Sequence, residues 1–369
     1  MLVKSFPRSP DGNASTSPRP WQHSILVSIV LFALCIQGYA QQFRIVVAGD
    51  GRAQYPWRDK RPEEDVGGLN VAINREICRA VLNERPQIML WTGDIVNVNE
   101  TAGKEDDQKT CALKCGLKMW REIINPLLEN HIKVLPVRGN HEVHWHEQRN
   151  TKPIYITSAS AAWKEVLSDL VPDNGPENEK GLSFWYAEGP VLCIGLDQYE
   201  NRRHSINTQW LHDVLAKNTA ELKKPFIFAF GHEPAFATGG HHGQDETLAA
   251  DPPKRNEMLQ SLWDAGARVY FCGHDHFYDH LKAVRPMPSG SIEIHQVTAG
   301  TAGAPNYAHE RPCPVDQGWM LEQRELCDLI YGYVLISIEG NQATVEFKGR
   351  ESNGEYQVKD SFSYTSAGQ

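Results

Sequence analysis

Five stretches of this 369-residue chain share one design: a run of apolar residues, then glycine, then side chains able to bind a metal ion. In order they are Gly49-Asp50-Gly51-Arg52, Gly93-Asp94-Ile95-Val96-Asn97, Gly139-Asn140-His141-Glu142, Gly231-His232-Glu233-Pro234 and Gly273-His274-Asp275-His276. A short apolar run bounded by turn residues is the pattern of a buried strand. Glycine lets the backbone turn sharply where such a strand ends and leaves room for a bulky anion. Strands that terminate in Asp or His put ligands at the carboxyl edge of a sheet, where α/β proteins bind.

The strands are predicted at residues 43–50 (FRIVVAGD), 87–94 (QIMLWTGD), 132–138, 225–230 and 267–272. Between them, helical spacing covers 66–82, 119–131, 161–170, 208–222 and 255–265, with Asn207 as an N-cap for the fourth. Residues 182–188 and 191–197 alternate around Gly189-Pro190 and predict a hairpin. After residue 273 the pattern turns to β, at 292–298, 331–339, 344–347 and 357–364. Strand–helix alternation followed by mainly β structure predicts an α/β (α+β) sandwich, two mixed β-sheets flanked by helices. Residues 41–369 read as a single domain, with loop insertions at 99–117 and 303–328.

Composition is ordinary for a globular chain, 41% hydrophobic and 22% charged. The first 40 residues differ. Lys4, Arg8 and Arg19 precede an apolar run at 25–36, and Gly38-Tyr39-Ala40 puts small residues at the −3 and −1 positions of a cleavage site. That run is shorter than the ~20 residues a membrane span needs. The segment is expected to be a secretory signal peptide cleaved near Ala40/Gln41, giving a secreted or periplasmic protein without a stable membrane anchor; a short uncleaved anchor is the alternative. Residues 1–40 carry those three basic residues and Asp11, so their removal takes the formal net charge from −9 to −11. An acidic protein repels polyanions, which makes nucleic acid an unfavoured partner unless a metal centre supplies local positive charge. Of the eight cysteines, Cys111 with Cys115 and Cys313 with Cys327 flank polar insertions and are expected as loop staples; Cys78, Cys193 and Cys272 are expected as buried thiols.

Carboxylate, amide oxygen and imidazole suit first-row ions such as Zn, Mn or Fe. Two such ions about 3.5–4 Å apart can activate a water and neutralise a phosphoryl group during in-line attack. A carboxylate is the natural bridge between them.

The ordered series resembles the calcineurin-like metallophosphoesterase family, which includes the purple acid phosphatases. The likeness spans about residues 43–280, and residues 331–347 are similar to that family's closing strands. The resemblance implies that Asp50 binds a first metal, that Asp94 bridges both, that Asn140, His232 and His274 bind the second, and that His276 returns to the first. His141 would protonate the leaving oxygen rather than bind metal. Gly300 and Gly303 occupy the place of a glycine-rich strand end near the family's site. The chain departs from the family at residue 52, where most members have a metal-binding His and this one has Arg52. Purple acid phosphatases use a Tyr three residues after the second-block Asp; here that residue is Asn97, which argues against a ferric–tyrosinate centre. A guanidinium has no lone pair for a metal, but it grips phosphate bidentately. Arg52 is therefore either a substrate clamp beside two metals or a stand-in for the first cation. His241 lies in a loop that faces substrate in relatives. His144 and His146 are expected as solvated loop residues, Asp275 as structural, and Asn99-Glu100-Thr101 matches a glycosylation acceptor.

The function expected is an exported phosphoesterase acting on a small phosphorylated mono- or diester with two divalent or trivalent ions (Fe, Zn or Mn). The alternatives are a non-catalytic phosphate-ligand-binding protein on the same scaffold, and a single-metal variant.

Overall fold

The computed structural model describes residues 42–54, 65–100, 103–148, 151–200, 204–222, 225–239, 247–288, 290–307, 315–316 and 318–366. The expected signal peptide at 1–40, His241 and Cys313 lie outside the described residues. Two mixed sheets carry the fold, as predicted. The first has six strands in the order β13 (Tyr356–Thr365), β12 (Gln342–Arg350), β11 (Gly332–Glu339), β1 (Phe43–Ala48), β2 (Ile88–Trp91), β3 (Lys133–Pro136). The second runs from a short edge strand, Val315–Asp316, through β10 (Trp319–Cys327), β8 (Tyr278–Met287), β9 (Gly290–Ala299), β7 (Val269–Cys272), β6 (Phe226–Phe230) and β5 (Val191–Gly195) to β4 (Phe184–Glu188). Strands β1, β2 and β3 are parallel to one another, as are β5, β6, β7 and β9.

Among the described residues, five α-helices flank the sheets: α1 (Val71–Glu84), α2 (Asp106–Glu129), α3 (Ala159–Leu167), α4 (Thr208–Glu221) and α5 (Pro252–Ala265). Alternation along β6 shows how the layers are specified. Phe226, Phe228 and Phe230 join a core shared with Ile45 and Val47 of β1, while Ile227 and Ala229 face Leu211 and Leu215 of α4 and Met258 and Leu262 of α5. Full burial of such side chains contributes roughly 1.5–3 kcal/mol each, so strand facing is set by the apolar pattern. Asn207 caps α4 as expected, its side chain accepting from Trp210 N at 3.1 Å.

The structure corrects the two expected insertions. Residues 106–117 are not a loop but the first half of α2. Asp106 and Asp107 sit where the helix dipole favours negative charge, and Leu113, Leu117, Trp120, Ile124 and Leu127 form its buried stripe. The charged, cysteine-bearing surface concealed that stripe. Cys111 and Cys115 lie one turn apart on this helix as free, exposed thiols rather than a disulfide, and Cys327 is also free. In the second insertion, residues 319–327 form β10, antiparallel to β8. Both strands carry too many polar residues to read as apolar runs.

Candidate metal centre

Each of the five ligand-bearing stretches follows a parallel strand: Asp50 follows β1, Asp94 follows β2, Asn140 and His141 follow β3, His232 follows β6, and His274 and His276 follow β7. The turns are interlocked. Asp50 N donates to Gly93 O (3.0 Å), Arg52 N to Asp94 O (3.1 Å) and Gly273 N to His232 O (2.9 Å). His274 N donates to both carboxylate oxygens of Asp50, at 3.1 and 3.0 Å, so a side chain of the first sheet's edge holds the second sheet's turn. Asp50, Asp94 and His274 all adopt left-handed backbone, with φ of 59°, 50° and 72°. That is an uncommon conformation for residues other than glycine, and Asp, Asn and His tolerate it best.

The second ligand set converges tightly. His232 Nε2 lies 2.9 Å from Asn140 Oδ1 and 3.0 Å from His274 Nδ1, and His274 Nδ1 lies 3.1 Å from Asn140 Oδ1. His232 Nδ1 is 2.7 Å from the carbonyl oxygen of Thr92. A carbonyl only accepts, so Nδ1 carries a proton and, in the neutral ring, Nε2 presents a lone pair. That lone pair therefore meets the Asn140 amide oxygen, also an acceptor. One ring proton on His274 cannot satisfy all three contacts, but a cation between them does. Asp94 Oδ1, 3.4 Å from His232 Nε2, adds a charge to the same face. The donor set of one carboxylate, one amide oxygen and two imidazoles fits a first-row divalent ion. Asn140 is half-buried, whereas His232 and His274 are buried.

The first set is Asp50, Asp94 and His276, whose ligand atoms all lie within 4.8 Å of one another. Its donor types fit a cation too. Here Arg52 enters. It is 4% exposed, and its Nε donates to Asp94 Oδ2 at 3.2 Å while its Nη2 lies 3.2 Å from His276 Nε2. Burial, then the Asp94 charge, pushes the Asp50 carboxyl well above the usual carboxylate range, against the pull of Arg52.

His141 lies beside both sets. Its backbone N donates to Asp94 Oδ1 at 3.0 Å, and its ring Nε2 is 3.8 Å from Asp94 Oδ2. Burial, then the Arg52 charge, holds its imidazole well below the usual 6.5. Asn97 turns away from the centre, donating to Ala53 O at 3.2 Å and accepting from Asn99. Asn99 is itself buried, its amide spent on Asn97 and on the backbone N of His146, so the predicted sequon offers no exposed acceptor. His144, expected in solvent, is buried against the rings of His146 and Tyr155. Asp275 accepts from Gly239 N (3.1 Å) and the Tyr307 hydroxyl (2.9 Å), outside the ligand sets.

Two supporting residues went unassigned in the sequence. Glu142 is fully buried and accepts three backbone N–H bonds, from Gly139 (2.7 Å) and Asp94 (3.1 Å) on Oε2 and from Val96 (2.8 Å) on Oε1. It ties the third strand end to the second. Burial and the Asp94 charge push its carboxyl up to about 8, while the three N–H bonds pull it down. Gln198 Oε1 accepts from the backbone N of both His232 and Glu233, at 2.8 and 2.7 Å. Only the glutamate stood within a recognised stretch; Gln198, distant in sequence, gave no local signal.

Residues 45–278 match the family profile described as calcineurin-like phosphoesterase. No curated protein matches the chain. Among solved structures, the chain is similar to a purple acid phosphatase from yellow lupin (Lupinus luteus) seeds, with 16% identity, a TM-score of 0.58, and coverage of 89% of this chain and 54% of that one. It thus spans about half the length of the lupin enzyme. It is also similar to PhoD (13% identity, TM-score 0.58, 88% of this chain and 70% of that chain) and to a dimetal phosphatase from Danio rerio (13% identity, TM-score 0.50, 88% and 99%).

Proposed function

Because this chain belongs to the calcineurin-like phosphoesterase family, we propose that it is a metal-dependent hydrolase of small phosphate mono- or diesters, with residues 41–369 as its catalytic domain. The observation that carries this reading is the meeting of His232 Nε2, Asn140 Oδ1 and His274 Nδ1 within 3.1 Å of one another, an arrangement of lone pairs that a cation resolves. Asp94, Asn140, His232 and His274 would hold that ion. When bound, it supplies Lewis-acid stabilisation of phosphoryl charge and makes water a competent nucleophile near neutral pH.

The chain's own groups supply the remainder. Asp94 neutralises positive charge on one face and orients Arg52 on the other. His141, anchored through its backbone to Asp94, would pass a proton to the leaving oxygen. The buried Arg52 guanidinium adds positive charge where a phosphate would sit. Export is part of the proposal, supported by the basic, then apolar leader of residues 1–40. His241 is proposed as a further substrate contact from the resemblance alone.

The test is hydrolysis of chromogenic mono- and diesters by the intact protein before and after chelation, with Zn(II), Mn(II) or iron added back. Activity should vanish with the metal and return with it. Turnover indifferent to chelation, or none with any metal, would sink the reading.

A further inference from the structure

We infer that the Arg52 guanidinium occupies the cation position framed by Asp50, Asp94 and His276, so that the protein binds one metal ion per chain, at Asp94, Asn140, His232 and His274. The inference rests on the phosphoesterase reading above and fixes the make-up of that site.

His276 is the residue that separates a metal from a guanidinium at this position. Its Nδ1 lies 2.9 Å from the carbonyl oxygen of Pro305. That oxygen can only accept, so Nδ1 carries the ring proton and Nε2 offers its single in-plane lone pair. Arg52 Nη2 sits 3.2 Å from Nε2. A guanidinium only donates, so the bond runs from arginine to histidine and consumes the lone pair a metal would need. The other arms of Arg52 are equally committed: Nε to Asp94 Oδ2 at 3.2 Å and Nη1 to Ala53 O at 3.0 Å. Its backbone is pinned as well, N to Asp94 O at 3.1 Å. The side chain is 4% exposed, and breaking these contacts to admit a metal would leave a buried charge without its partners, which is strongly destabilising.

Asp94 shows the same division. Oδ2 receives Arg52, while Oδ1 receives the backbone N of His141 and lies 3.4 Å from His232 Nε2. The carboxylate that would bridge two metals bridges a fixed organic cation and one metal face instead. The ligand exchange at residue 52 follows the same logic. A histidine there would complete a first metal site, whereas an arginine there both removes a ligand and fills the space with positive charge.

Metal counting on the full chain, loaded with Mn(II) or Zn(II) and freed of excess, tests this. The wild type should carry one ion, His276→Ala should keep it, and His232→Ala should lose it. Arg52→His should carry two, and its Mn(II) form should change from an isolated-ion to an exchange-coupled paramagnetic resonance spectrum. Arg52→Gln, which removes the charge while keeping a side chain of similar length, should also admit a second, weaker ion, and guards against misfolding of the histidine variant. Two ions in the wild type, loss of the ion in His276→Ala, or a count that stays at one in both residue-52 variants would each overturn the inference. Wild-type hydrolysis that still depends on metal in those cases would leave the phosphoesterase reading standing. A wild type with no ion and no turnover would end both.

Discussion

Glu142→Gln is a conservative change with a consequence the geometry makes calculable. The carboxylate uses Oε2 for two backbone donors, Gly139 N at 2.7 Å and Asp94 N at 3.1 Å, and Oε1 for one, Val96 N at 2.8 Å. Glutamine has one oxygen and one NH2. Its oxygen goes to the end with two donors, which turns the NH2 toward Val96 N and sets donor against donor in a fully buried place. An unsatisfied buried donor costs about 1–3 kcal/mol, so Glu142→Gln should lower unfolding free energy by that amount. Glu142→Ala leaves all three donors unmet, a loss of several kcal/mol against the roughly 5–15 kcal/mol that a domain has in total, and should not accumulate as folded protein. The bonds also hold Asp94 at its φ of 50°, so the glutamine variant should bind metal more weakly as well. Denaturant titration of the metal-free protein above about pH 8, where the carboxyl is ionised, and chelator competition measure the two effects separately. A glutamine variant with wild-type midpoint and wild-type metal affinity would show that Glu142 is neutral and already donating, and would refute the reasoning.

Three further outcomes are expected. His141→Ala should retain its metal but lose about 10²–10⁴-fold in turnover, less with acidic leaving groups; since the acid form is required and burial with Arg52 holds its pKa below 6.5, wild-type kcat/KM should fall with rising pH along a limb centred below 6.5, and a limb centred above 7 contradicts the acid role. Gly139→Ala would put a Cβ 2.2 Å from Asp94 Oδ1 and 2.4 Å from Asp94 N; metal affinity should drop more than stability, and a variant with unchanged affinity would mean the turn adapts freely. Burial, then the His280 charge, lowers His295 from 6.5 to about 4, with Lys282 and Arg324 adding and Glu293 opposing. The unfolded chain thus takes up this proton first, and stability should be full above about 6.5 and decline toward pH 4 by at most about 3 kcal/mol; His295→Gln should flatten that decline in denaturant titrations, and an unchanged slope would exclude this histidine as its source.

The strand ends were legible because each combined an apolar run, a glycine and a ligand within a few residues, and five in order leave few other folds. Helix α4 was legible from Asn207 for the same local reason. What escaped was set by tertiary contact. The first half of α2 hid behind Lys109, which is buried with its Nζ on Val98 O at 2.9 Å and over the Trp145 ring; a lysine in a chain of charges signals a solvated face. Strand β8 reads as polar because Asp279 and His280 are buried with partners distant in sequence, Asp279 on Gln323 and Thr238 and His280 on Asp360 and His295. Arg52 was legible as a departure, but the direction of its hydrogen bond to His276, on which the inferred stand-in role rests, depends on Pro305 lying behind His276. No spacing in the sequence encodes that.

The left-handed backbone at Asp50, Asp94 and His274 has a consequence for how such a chain changes over generations. The backbone of each would be easier to accommodate as glycine, by roughly 1 kcal/mol or more, but at Asp94 the change would leave the buried Arg52 guanidinium without its carboxylate and at Asp50 it would leave the His274 backbone N without its acceptor. At His274, a substitution that abolishes the centre therefore relieves backbone strain in the metal-free fold. Drift governed by folding alone would replace His274 before either aspartate, because only at His274 does a strained backbone stand without a buried carboxylate's partners to hold it.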